Sequence, residues 1–139
     1  MKNSFIIKFS FFLLFFINSL SVYSEELKFE ATSIEIIDKD KIVIAKDGVK
    51  IFSGNEIVID ADQMKYDKEN KFLDANGNIV VTNQIENIKI YSDNIYYDKN
   101  SEKIITSGNV RLNFEDNYTL STKEIIYLKN SEEIIINNL

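Results

Sequence analysis

The chain has 139 residues, a formal net charge of −6, and no Cys, His, Pro or Trp. That length allows one domain. Without Cys or His there is no thiolate or imidazole nucleophile machinery and no usual zinc site. The acidic balance also argues against nucleic acid as a partner, because neutralising phosphates takes clustered Lys and Arg.

Residues 1–24 carry Lys2 and Lys8, an unbroken apolar run over Phe11–Ile17, and Val22 and Ser24 ahead of Glu25. This is the three-part layout of a secretory signal peptide. An uncleaved anchor needs about 20 apolar residues, and Asn18, Ser19 and Ser21 interrupt this run too early. Residues 25–139 are then the folded domain. Their 14 basic and 22 acidic residues give a formal charge of −8, which an anionic membrane surface would repel.

The remainder repeats. Tyr66-Asp67-Lys68 returns as Tyr97-Asp98-Lys99, and Leu73-Asp74-Ala75-Asn76-Gly77-Asn78-Ile79 returns at the same offset as Ile104-Ile105-Thr106-Ser107-Gly108-Asn109-Val110. A weaker copy lies one repeat earlier, in Val43, Ala45, Val49 and Ile51. A fourth runs from near Lys123 through Ile126 and Leu128, then a turn at 129–133, then Ile135 and Leu139.

Within each unit the apolar period is two. Leu73, Ala75, Gly77, Ile79 and Val81 share one parity, as do Ile104, Thr106, Gly108, Val110 and Leu112. This predicts half-buried antiparallel strands. The parity shifts near Asp62–Gln63 and again near Asp93–Asn94, which predicts a bulge or corner at each. Asn76-Gly77 alone would signal a hairpin. Its counterpart Ser107-Gly108 keeps only the Gly, so both glycines read as kinks within strands. Reversals are expected at 67–71, 98–103 and 129–133, with further turns at 82–87 and 115–117. Two strands per unit cannot bury an apolar face alone, so the units stack into a folded-over antiparallel sheet or β-jellyroll, open at both ends. Its end strands carry unpaired backbone, which invites another sheet to join edge to edge.

The run Ile59-Asp60-Ala61-Asp62, Tyr66-Asp67, Ala75-Asn76-Gly77-Asn78-Ile79, with its second appearance in Ser92-Asp93, Tyr97-Asp98 and Ser107-Gly108-Asn109-Val110, resembles the OstA-like (organic solvent tolerance) family. The resemblance spans about residues 27–139. It implies a V-shaped β-jellyroll that holds lipid A acyl chains between its two sheets. It also implies joining with other such domains into a periplasmic lipopolysaccharide bridge. About 115 residues is short for that fold, and the first unit shows Ile36-Ile37 where the Tyr-Asp pair would stand. Two forms stay open: a short soluble bridge protein of the periplasm, or the front of a longer chain that continues into an outer-membrane barrel.

The candidate lipid-binding residues are the inward set Val49, Ile51, Met64, Leu73, Ile79, Val81, Ile95, Ile104, Val110 and Leu112. Position by position, plain core explains each of them better than lipid contact does. No catalytic residue, metal ligand or cofactor is expected. The pairs Asp60/Asp62 and Asp38/Asp40 lack a calcium loop's spacing and read as solvated charges on a strand face. The rival function is a structural or adhesive β-repeat that assembles through its edges and binds no lipid.

Overall fold

The computed structural model describes residues 27–115 and 117–138. The expected signal peptide and its cleavage position lie outside these described residues, as does Leu139. Nine strands follow one another: β1 Leu27–Glu30, β2 Ser33–Ile37, β3 Ile42–Ser53, β4 Ile57–Asp67, β5 Phe72–Asn83, β6 Ile88–Asp98, β7 Lys103–Phe114, β8 Tyr118–Leu128 and β9 Glu133–Asn137. From β3 onward each pairs antiparallel with the next. The short strands β1 and β2 both lie along β3, on its last and first residues respectively.

Local chemistry sets the reversals. The Asp67 carboxylate accepts from the backbone N–H groups of Glu69 (3.0 Å) and Asn70 (2.9 Å), and the Asn100 N–H donates to Asp98 at 2.9 Å. Asn83 holds the opposite turn, its side-chain oxygen accepting from the Ile85 and Glu86 N–H groups. These are Asx turns, in which a short polar side chain substitutes for a backbone acceptor. The turns also bond to one another: Lys68 N–H donates to the Lys41 carbonyl at 2.8 Å and Lys99 N–H to that of Lys71 at 3.0 Å. Each repeat is therefore one hairpin stacked on the last.

The long strands all bend at one level. The register slips at Lys46/Val49, Asp60/Gln63, Asn76/Ile79, Tyr91/Asn94 and Ser107/Val110, a line of bulges across the sheet. Gly77 and Gly108 sit on that line at φ +80°, where a side chain is strained. A Cβ on Gly77 would strike the Asp62 carboxylate, and one on Gly108 would lie 2.7 Å from the Asp93 Oδ2. Beside each glycine the next Asn closes the corner: Asn78 Nδ2 donates to Asp62 (2.9 Å) and Asn109 Nδ2 to Asp93 (2.8 Å). The expected kinks and corners are thus one device, an Asp on one strand against Gly-Asn on the next.

The bend folds the sheet onto itself. Phe29 pairs with Ile51, and Tyr66 with Val43. Eight residues of straight strand span about 27 Å, yet the Phe29 and Tyr66 rings lie 5.4 Å apart. One half of the sheet (β1 with residues 49–53, 57–60, 79–83, 88–92, 110–114 and 118–122) therefore faces the other. Between them lies the core, in which Ala45, Ile51, Ile59 and Leu73 are fully buried. Burial of an Ile or Leu side chain is worth about 1.5–3 kcal/mol.

The fourth unit departs from its expected parity by one residue. Ile125 is buried and Tyr127 packs on the core, while Ile126 and Ile135 pair with each other on the outer face. Ile134 and Ile136 follow Tyr127 and Ile125 inward. Runs such as Ile125-Ile126 and Ile134–Ile136 are apolar at both parities, so alternation could not separate the faces. Asp38 and Asp40 also differ from expectation. They occupy the turn at 38–41 at positive φ, not a strand face.

Candidate apolar groove

Cross-strand pairing turns the inward residues into rows. One runs Ile51, Ile59, Val81, Ile90, Leu112, Leu120, each paired with the next across β3 to β8. On the facing half, Val43, Tyr66, Leu73, Tyr97, Ile104, Tyr127 and Ile134 form another. All ten predicted residues fall on this one face. Nine are buried, with exposures of 7% or less, and Leu112 is half-buried.

Most charge lies on the outer surface. Lys50 pairs with Asp60 at 3.4 Å and Lys41 with Glu69 at 2.9 Å on exposed surface, and the Arg111 guanidinium lies over the Tyr91 ring at 4.5 Å. The inward polar groups are satisfied locally. Thr106 Oγ1 donates to the Ile125 carbonyl at 3.3 Å, and the Tyr97 hydroxyl donates to Glu102 at 2.7 Å. Burial raises the Tyr127 phenol above its usual range, and the Glu86, Glu132 and Glu56 carboxylates add to that shift. Glu86 and Glu56 come from turns of the facing half, another sign that the two halves meet.

The interior is closed at mid-length. A cavity of about 40 Å³ remains between the halves, lined by Ile57, Val81, Ile88, Ile90, Ile104, Thr106, Ile125, Tyr127 and Ile134, with Asn83 and Glu86 from the turn at its rim. An apolar void of about 150 Å³ takes only a benzene-sized guest. The wet apolar surface lies instead at the two ends. At the N-terminal mouth Ile34 and Ile36, which pair with buried Ala45 and Val43, are 50% and 52% exposed. At the C-terminal mouth the inward residues Phe114, Tyr118, Leu120, Ile134 and Ile136 are 37–67% exposed. Sequence reasoning missed these five. The alternation Leu112, Phe114 held the signal for one of them, but nothing in it marks where the facing half stops.

The family model described as OstA-like protein matches residues 20–134. The chain belongs to the OstA-like family. Its fold also matches the crystal structure of LptH from Pseudomonas aeruginosa, described as the LptA homologous periplasmic component of the conserved lipopolysaccharide transport device. That match has a TM-score of 0.70 at 16% identity, over 83% of this chain and 84% of LptH. The OstA-like chain thus has the V-shaped β-jellyroll of repeating hairpins, open at both ends. No curated protein matches its sequence.

Proposed function

We propose that this protein is a periplasmic lipopolysaccharide carrier that takes lipid A acyl chains between the two halves of its sheet and joins other jellyroll domains edge to edge. The observation that carries this reading is the continuous inward face, apolar from β1 to β9, on a family fold shared with a component of a lipopolysaccharide transport device. Each buried methylene contributes about 0.8 kcal/mol, so a chain of about 12 carbons gains roughly 10 kcal/mol before ordering costs. Transfer then needs no bond making. The interior residues that would meet the lipid are the ten named from the sequence, and no residue is assigned a catalytic role.

Edge joining is supported by the outer backbone edges of β2 and β9, which pair with no strand among the described residues. The same edges favour a second reading, a structural repeat that assembles without lipid. A photo-crosslinking residue in cells separates the two. Adducts with lipopolysaccharide are expected from Ile79 and Val110 and not from the outer positions Asn78 and Arg111. Protein–protein adducts without lipid adducts from either face would establish the structural repeat instead.

A further inference from the structure

The outer surface carries a hollow of its own at the line of bulges. It is open, holds about 570 Å³, and is bordered by the outward residues Asn78, Tyr91, Asp93, Asn109, Arg111 and Ser121 of β5 to β8. Ile79 and Val110 meet it too, but their side chains are buried on the other face, so the sheet backbone forms the floor there. Small-molecule sites usually hold about 300–1,000 Å³. Two kinds of polar group share this one. Asn78 and Asn109 donate their Nδ2 to Asp62 and to the Asp93 Oδ2, which leaves the Oδ1 atoms of Asn78, Asp93 and Asn109 without a hydrogen bond among the described residues. Arg111 lies two residues along β7 from Asn109, about 7 Å at the rise of a strand. Its guanidinium rests on the Tyr91 ring at 4.5 Å and has no ion-pair partner among the described residues. The previous unit has the same corner, Asp62 against Gly77-Asn78, but there Asp60 pairs with Val80 where Tyr91 here pairs with Arg111. The repeat is broken at two positions that face each other in one hollow.

We propose that this hollow binds an acidic saccharide, with the charged group on Arg111 and the ring hydroxyls on Asp93, Asn109 and Asn78. A guanidinium held against a ring offers a fixed fork of donors, which suits a carboxylate or a phosphate. The amide and carboxylate oxygens at the other end accept from hydroxyls, and the Ser121 hydroxyl can donate or accept. A bare anion would use Arg111 alone and be repelled by Asp93. A neutral sugar would leave Arg111 idle, and an apolar ligand would cover unpaired oxygens at a cost. Only a ligand with hydroxyls and a charge uses both ends. The hollow lies on the opposite surface from the apolar interior, so it stands whether or not that interior carries lipid.

The test titrates the purified protein with glucose 1-phosphate, glucuronic acid, glucose and inorganic phosphate, followed by backbone amide shifts in NMR. Saturable shifts at residues 91–93 and 109–111 are expected with either acidic sugar, and the tighter of the two names the anion. Glucose and inorganic phosphate are expected to bind at least tenfold more weakly. Arg111→Gln is expected to cost the acidic sugar at least tenfold in affinity, with thermal unfolding by circular dichroism unchanged. Lys50→Gln, a cation removed from the same outer row, is expected to stay within twofold of the parent. Inorganic phosphate binding as tightly as glucose 1-phosphate would reduce the hollow to a bare anion contact and overturn the proposal. So would glucose binding as tightly as the acids, an equal loss in Lys50→Gln, or no shift with any probe.

Discussion

At Gly77 two separate costs meet. The φ of +80° is one, and the Asp62 side chain standing where a Cβ would go is the other. Gly48 shares the first cost, with φ +81°, but nothing lies within 4 Å of its Cβ position. Backbone strain of this kind is worth about 1–2 kcal/mol. Gly48→Ala is therefore expected to lower stability by about that much and Gly77→Ala by distinctly more, measured by urea unfolding. Equal losses would show that Asp62 simply moves aside. From the sequence, both Gly77 and Gly108 were legible as kinks because alternation continues through them. Their partners were less so. Asp62 and Asp93 stand 16 residues from the Asn they accept from, and no local pattern says which residues a corner will bring together.

Among the elements, β8 and β9 of the fourth unit are those whose inward parity the sequence misassigned. The three successive isoleucines of β9 suit either face, and only pairing with β8 decided that Ile134 and Ile136 point inward and Ile135 outward. The register follows from the turn at 129–132, where Lys129 N–H is bonded to the Glu102 carbonyl of the previous turn at 3.0 Å. A Lys on an edge strand is a common guard against pairing. Ile135→Lys is thus expected to abolish concentration-dependent association in analytical ultracentrifugation, while monomer stability falls by no more than about 1 kcal/mol, as for most surface changes. Unfolding of the monomer instead would show that β9 is needed inside the fold. The strands from β3 to β7 were far more legible, since each is long enough to alternate on both sides of the line of bulges.

For the whole molecule, stability is a sum over stacked hairpins. Each central strand contacts its two neighbours in the sheet, and successive turns are bonded to each other. In such arrays one repeat can be lost without losing the rest. Removing residues 67–97 joins Tyr66 to Asp98, restores the Tyr-Asp turn and sets Asp62 opposite Gly108-Asn109. The shortened chain is expected to unfold cooperatively at a lower urea midpoint, with its β circular dichroism intact. A chain that no longer folds would mean that the facing halves close as a single unit.

By itself the sequence determined the strands of the central units, their inward face, the level of the bend and the repeat, because each is set by parity, turn residues and glycine within a single hairpin unit. It also determined what the interior cannot do, since a chain without Cys or His has no such side chain to place there. Only the tertiary structure decided which inward residues are sealed and which are wet. Parity makes Ile51 and Leu120 equivalent, yet one is 0% and the other 37% exposed. Burial depends on what lies across the cleft. That opposite wall comes from the other half of the same folded sheet, and among the described residues it covers Ile51 but not Leu120.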